Sequence, residues 1–460
     1  MSLMYVRRWV VLLGLLSSGC GGSSGGVGDG GPDVMEADPG DADLEADAPE
    51  PHDADPDDAA DVGDATQPDV GHTCGVADLE PLDLGWIDVD GVPASAMLEP
   101  CTMHQMSLAA AVGTVIEIEV TPRGLFPIVA AVTYPDAPRW DATIDLFTAE
   151  GFGAPSIHSV EVPRSGELRL LIRTTPAVSQ RYDLAVRCVS GCDRETTRYP
   201  IVLVHGWTGF EEIGPLEYFY GVPDVLRERG FPVHVVVLDP YNSIEVRSEQ
   251  LAPQIDAVLE EARATRVDII AHSQGGLDSR RLISTLGYGD RVSALVTVAT
   301  PHHGTPLCDV AMGVLPGGAD EALYFLLELI GATVMGRESD AEASFRSLTT
   351  QYIEDEFNPA NPDDDRVSYV SWTGRTCLYG IGCDDVCDVE IRWSYDLIFL
   401  LAGENDGIVP VSSAPWGDYR GEVPADHFDE VGQLFGVTGP SFDHLQFYLE
   451  RARDLAAEGH

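Results

Sequence analysis

Ser273 lies in the stretch VDIIAHSQGG (267–276), just past an apolar run with strand character. Its neighbours Ala271, Gly275 and Gly276 are small, which suits a sharp strand-to-helix turn where backbone segments crowd together. A serine on such a turn can attack an acyl carbon if the chain also supplies a base, an orienting acid and donors for the developing oxyanion. The first small residue is alanine rather than glycine, so the pentapeptide by itself leaves an ordinary loop serine open.

The partners must come from elsewhere. LIFLLAG (397–403) runs into Glu404-Asn405-Asp406-Gly407, and Asp406 stands directly after this expected buried strand, with Glu404 as the competing acid. Beyond Asp406 the histidines are His427, His444 and His460. His460 is terminal, and His444 belongs to the amphipathic pattern FDHLQFYLERARDL, which suits a structural histidine. His427, in PADHFDEVGQ, falls in a loop before a helix and can project over strand ends. Ser273, Asp406 and His427 then form a nucleophile, an orienting acid and a base in the order Ser, Asp, His. The run IVLV (201–204) leads into His205-Gly206-Trp207-Thr208-Gly209, a loop able to present a backbone N–H. The expected oxyanion donors are the N–H groups of Trp207 and of Gln274, while His205 braces the loop.

These residues need a frame. After Arg198, apolar runs at 201–204, 233–238, 267–270, 294–299, 367–371 and 397–403 alternate with helical stretches such as 248–264, where Leu251, Ile255, Val258 and Leu259 share a face. Continuous apolar strands separated by helices predict a mostly parallel sheet covered on both sides, with chemistry at the carboxyl ends of its strands. Residues 74–197 differ. In TVIEIEV, Ile116, Ile118 and Val120 alternate with Glu117 and Glu119, and YDLAVRCV puts Tyr182, Leu184, Val186 and Cys188 on one face. Period two with Pro and Gly between runs predicts an all-β sandwich. The order GTVIEIEV, DATIDLFTAEG, VPRSGELRLLI, RYDLAVRCV resembles the bacterial pre-peptidase C-terminal β-sandwich domain, which implies a binding or spacing role.

At the amino end, Arg7 and Arg8 precede WVVLLGLL and then SSGC. This predicts an export signal over 1–20, too short to remain as a membrane span. The small residues before Cys20 resemble the bacterial lipoprotein processing site, which implies Cys20 as a lipidated first residue. The chain is thereby expected outside the cytoplasm as an outer-membrane or cell-surface lipoprotein, associated with the membrane through Cys20, or else secreted. Residues 21–73 carry 16 acids and no base and read as an extended tether. Eight cysteines remain after Cys20, and in an exported chain disulfides are the default. Cys74, Cys101, Cys188 and Cys192 form one group of four, and Cys308, Cys377, Cys383 and Cys387 another. Each group permits three pairings. The formal charge of −49 argues against a nucleic-acid partner, and the absence of lysine removes Schiff-base chemistry.

Residues 198–460 resemble the calcium-containing bacterial triacylglycerol lipases of the Pseudomonas and Burkholderia type, through YPIVLVHG, EVRSEQL, AHSQGG, TPHHGTP, VSYVSWTG, ENDGIVP and HFDEVGQLFGV. The resemblance implies an α/β-hydrolase fold, Ser273, Asp406 and His427 as triad, and Trp207 and Gln274 as oxyanion donors. It also implies a structural Ca2+ held by the Asp429 carboxylate, the carbonyls of Gln433 and Val437, and an earlier aspartate. Asp388 fits that last place best, with Asp384 and Asp385 as alternatives, and Asp429 as a plain helix cap is the bland reading. Residues 308–345, with EALYFLLELIGATVMG, correspond to the family's lid, although such a segment also suits a buried helix. A dedicated foldase is a partner that members of the family often need. The expected function is a serine carboxylester hydrolase acting on acylglycerols. The alternatives are an esterase for short-chain esters or polyesters, and a non-catalytic binding lipoprotein.

Overall fold

A computed structural model describes residues 79–136, 140, 143–174, 178–207, 212–213, 216–316, 318–322, 340–378 and 384–460. The export signal, the tether, Cys20, Cys74, Cys383, Thr208 and Gly209 lie outside the described residues, as does the central part (323–339) of the expected lid.

The amino-terminal strands are β1 (Glu80–Trp86), β2 (Ala94–Leu98), β3 (Thr102–Ala110), β4 (Val115–Pro122), β5 (Ile128–Thr133), β6 (Thr143–Ala149), β7 (Ser156–Glu161), β8 (Gly166–Thr174) and β9 (Gln180–Ser190). They form two sheets, β1-β3-β8-β5-β6 and β2-β9-β4-β7, antiparallel except for the parallel pair β1 and β3. The alternation seen in sequence sets their inner faces. Ile116, Ile118 and Val120 of β4 are fully buried and share one core with Leu168, Leu170 and Ile172 of β8. Burying such a side chain contributes about 1.5–3 kcal/mol. His104 is a polar exception in this interior, with Nδ1 2.9 Å from the Tyr182 hydroxyl.

The six-stranded sheet of the carboxyl-terminal region contains β10 (Ile201–Val204), β11 (Val233–Val235), β12 (Val267–His272), β13 (Val292–Val298), β14 (Ser368–Gly374) and β15 (Asp418–Val423). Its order is β11-β10-β12-β13-β14-β15, and every pairing is parallel. The longer helices among the described residues are α1 (Val222–Arg229), α2 (Ile244–Ala262), α3 (Gln274–Ser284), α4 (Pro306–Ala311), α5 (Ala341–Arg346), α6 (Arg392–Ala402) and α7 (His444–Glu458). Alternate residues of the central strands point to opposite cores. Leu203 and Ile270 pack with Leu226 of α1 and Tyr448 of α7, while Val202 and Ile269 pack with Leu251 and Ile255 of α2. Both faces are therefore apolar, which is why these strands read as unbroken runs. The polar edge strand β15 escaped the apolar pattern and is held by its pairing with β14.

Three expectations are corrected. LIFLLAG is not a strand: it forms the carboxyl half of α6, closed by Gly403 at φ 88°. A short apolar run has no period that separates a strand from a helix. Here one face buries Ser394, Tyr395 and Ile398, while Trp393, Phe399, Leu400 and Leu401 face outward. The strand expected over 233–238 is shorter, ending at Val235. Complete cysteine pairing also fails. Cys188 and Cys192 are bonded to each other, and Cys101 and Cys377 are disulfide-bonded, but Cys308 and Cys387 are free thiols buried in one apolar cluster.

The sandwich is seated against the amino ends of the parallel strands. Arg453 grips the Glu195 carboxylate with two bonds of 2.7 and 2.9 Å. Arg263, just before β12, pairs with Asp136 at 2.9 Å, and its guanidinium stacks on Tyr134. Ser273 stands beyond the opposite, carboxyl, end of the same sheet.

Candidate active site

Ser273 joins β12 to α3 with φ 56° and ψ −133°, a region that residues with side chains rarely occupy. The turn is held on both sides: Ser273 N donates to the Val298 carbonyl at 2.9 Å, and Thr300 Oγ1 donates to the Ser273 carbonyl at 2.8 Å. The glycines are required by space. A Cβ on Gly275 would lie 2.6 Å from the Val204 carbonyl oxygen, and one on Gly276 would lie 2.2 Å from Thr300 Oγ1. Ala271, inside β12, is fully buried in the apolar core, so its methyl is accommodated.

His427 Nε2 is 3.0 Å from Ser273 Oγ, and His427 Nδ1 is 2.8 Å from Asp406 Oδ2. The other Asp406 oxygen accepts from Ile408 N and Val409 N at 2.8 and 2.6 Å, which fixes the carboxylate. Although α6 rather than a strand precedes it, Asp406 reaches the site through the turn 403–407, where Asn405 binds the carbonyls of Tyr395 and Gly403. Glu404 points away and pairs with Arg375 at 3.0 Å. His444 opens α7 and binds the Tyr220 carbonyl through Nε2, so it has a structural position.

The second wall is the loop after β10. His205 Nε2 accepts from Leu238 N at 3.0 Å and so braces the loop. A Cβ on Gly206 would stand 2.5 Å from Ser273 Cβ, so only glycine lets the loop approach the nucleophile. The Trp207 indole donates to Ser344 Oγ at 2.7 Å, and Ser344 Oγ donates to Gln274 Oε1 at 3.2 Å. These side-chain bonds tie together the two residues whose backbone N–H groups were expected to face an oxyanion. Gln274 is also the first residue of α3, where a helix leaves N–H groups without intrahelical acceptors.

A buried relay behind the triad was not read from sequence. Gly206 N donates to the Tyr218 hydroxyl at 3.1 Å, which lies 2.6 Å from His272 Nδ1. His272 Nε2 is 2.7 Å from Glu430 Oε2, itself 3.6 Å from His427 Nδ1. Burial pushes Glu430 well above the carboxylate range, assisted by Asp406, Asp426 and Asp429, and burial likewise drives the His272 imidazole far below its ordinary value. Both shifts favour the uncharged forms of these groups beside the base. The sequence signal was Glu430 three residues after His427, but it is one acid among 76.

Beside the His427 loop, Asp385, Asp426 and Asp429 bring carboxylate oxygens within 4.8 Å of one another, all buried. Burial raises Asp429 to about 7, with Asp388 and Asp385 adding to the shift, and Asp426 rises further for the same reasons. Asp385 is the earlier aspartate in this group, in the place expected for Asp388. The Asp388 backbone N–H instead binds Asp426 Oδ2 at 2.8 Å. Asp426 was missed. Gln433 and Val437 follow on the same loop, where Gln433 N donates to the Phe428 carbonyl at 3.0 Å and Val437 N to that of Leu434 at 3.1 Å.

The all-parallel sheet, the serine elbow and the Ser–His–Asp contacts define an α/β-hydrolase. A sequence-family profile described as a domain of unknown function, DUF7379, matches residues 216–312. A triacylglycerol lipase of Vibrio cholerae is 31% identical over 288 residues, 57% of this chain and 89% of the relative. One from Pseudomonas fragi is 28% identical over 58% of this chain and 99% of the relative. Among solved structures, a Bacillus licheniformis lipase in mature form aligns with TM-score 0.42 and 19% identity, over 56% of this chain and 92% of that one. The chain belongs to the triacylglycerol lipase family.

Proposed function

We propose that this chain is a serine carboxylester hydrolase that cleaves acylglycerol esters through an acyl-enzyme on Ser273. The observation that carries the reading is the pair of contacts made by His427, to Ser273 Oγ at 3.0 Å and to Asp406 Oδ2 at 2.8 Å. His427 Nε2 takes the hydroxyl proton as Oγ adds to the ester carbonyl, and Asp406 holds the Nδ1–H tautomer and supports the imidazolium. The carbonyl oxygen, now an anion, receives the backbone N–H groups of Trp207 and Gln274, each such donor contributing about 3–4 kcal/mol to the lowered barrier. Collapse expels the alcohol with the proton returned by His427, and a water activated by the same imidazole releases the acid. The outward apolar face of α6, with Trp393 and Leu400, supports ester chains presented by lipid.

A fluorophosphonate probe tests the nucleophile: it should label the parent protein and not Ser273→Ala, and an unlabelled parent would leave only a binding module. Rates across a glyceride chain-length series should favour long acyl chains, whereas a preference confined to short soluble esters would place the chain among plain esterases.

The carboxylates near Asp429 fit a calcium ion. They are hard oxygen donors, buried together, and the charges acting on Asp426 and Asp429 are carboxylates. Asp385 and Asp429 would hold the ion with the carbonyls of Gln433 and Val437, bracing the loop that positions His427. Export with lipidation at Cys20 is part of the same reading, supported by the leader composition. Incorporation of labelled palmitate into the parent and not into Cys20→Ser is the expected result.

A further inference from the structure

The β-sandwich has two ends of opposite character. One carries the turns after β3, β5 and β7 and is the end seated on the hydrolase, through Asp136 with Arg263 and through Arg164 with the Glu261 carbonyl. At the other end the β4–β5 loop (123–127) meets the β6–β7 loop (150–155). Phe152 N donates to the Gly124 carbonyl at 2.7 Å, and the Gln180 amide clasps Phe126 through bonds of 3.0 and 2.7 Å to its backbone. A Cβ on Gly151 would lie 2.3 Å from the Leu125 carbonyl oxygen, so the two loops pack without slack.

This firm platform displays apolar side chains to solvent: Phe152 is 82% exposed, Leu125 65% and Phe126 39%. Phe152 also holds φ 69°, a left-handed conformation unfavourable for a bulky residue, so backbone strain and water contact are both tolerated to keep its ring outside. The charged residues of the two loops are Arg123, which pairs with Asp183, and Glu150, each at the first position. Gly124–Pro127 and Gly151–Pro155 carry none, in a chain where 22% of residues are charged. Apolar projections of this kind mark contact sites.

The strand directions point to the partner. β1 runs parallel to β3 with Glu80 beside Thr102, so the chain enters the sandwich at this same end, after the residues expected to include a lipid-bearing Cys20. The sandwich's other end abuts the amino ends of the parallel strands, so Ser273 lies at the far pole of the molecule. We propose that Leu125, Phe126 and Phe152 form a docking tip that inserts into a phospholipid bilayer, leaving the active site facing away from that bilayer. A chain of charge −49 is repelled by anionic headgroups, so insertion of apolar groups into zwitterionic lipid must supply the contact.

The test uses the full chain with Cys20→Ser, so that no acyl group contributes, and sedimentation with phosphatidylcholine vesicles. The parent should partition onto vesicles, and Leu125→Ser/Phe126→Ser/Phe152→Ser should lose at least tenfold in partitioning. That variant should hydrolyse soluble p-nitrophenyl butyrate at the parent rate, which also shows that it is folded. Leu400→Ser, altered at the opposite pole, should still sediment with vesicles. Unchanged partitioning of the tip variant, or loss confined to Leu400→Ser, overturns the proposal, as does a dimer that the tip variant abolishes without any vesicle binding. Should the triple variant fail to fold, Phe152→Trp decides: its added emission should shift to the blue on vesicles, and no shift refutes insertion.

Discussion

The two folded regions bury different things. The sandwich interior is built from Ile116, Ile118, Leu168, Leu170 and their neighbours, with His104 a rare polar occupant. The hydrolase interior near its strand ends holds Arg247, Asp278, His272, Glu430, Asp406 and Asp426, each fully buried. Arg247 and Asp278 pair at 2.7 Å, and Arg247 also binds the His205 carbonyl. Burying charge without a task is costly. The difference teaches that the interior of one region is built for stability, while that of the other gives up stability to hold a nucleophile, its base and the adjacent loop in register.

Four substitutions or conditions can break that contrast. The largest effect belongs to His427→Ala, which should lower the hydrolysis rate by a factor on the order of 10⁴–10⁶ with little change in melting temperature. Activity within tenfold of the parent would remove the general base from His427. Gly206→Ala comes next. Its new methyl would press on Ser273 Cβ from 2.5 Å, and kcat should fall about 10²–10³-fold while KM changes little. In the sandwich, Ile118→Ala should cost about 2–4 kcal/mol in denaturant unfolding and leave kcat intact below the transition. Lost catalysis without lost stability there would refute the division of labour.

The smallest and most diagnostic effect concerns pH and metal. The folded-state pKa of Asp429 is raised above its unfolded value, to about 7. The native state therefore binds protons more tightly, so metal-free stability is highest below about pH 4 as far as this group is concerned and falls as pH rises toward 7. Chelated protein should melt lower at pH 8 than at pH 5, apart from general acid effects shared with Asp429→Asn, and calcium should restore more at pH 8. Identical melting with and without chelator at both pH values would count against the ion.

Much of this was legible in the sequence. Ser273 could be found because a buried strand and small neighbours on a sharp turn impose a narrow residue pattern, and His427 because few histidines follow Asp406. Strands at 201–204 and 267–270 were evident from apolar runs, since both faces of the sheet are covered, and the second extends to His272. The segment 397–403 misled because its outward face is also apolar, which removes the polar side that marks an ordinary surface helix. Asp426 was hidden among many acids, and Asp385 stood only as an alternative to Asp388, as only folding reveals which carboxylates leave water. Cys308 and Cys387 show that parity of cysteines says nothing about which thiols end up within bonding reach.

The left-handed backbone at Ser273 has a consequence for heat resistance. Glycine is at ease in that part of conformational space, so Ser273→Gly should relax the turn and melt above the parent in calorimetry, by the equivalent of about 1–3 kcal/mol, while doing no chemistry. Evolution toward a sturdier chain would thus drift toward an inert one at this position, and the serine persists only where its reactivity is needed.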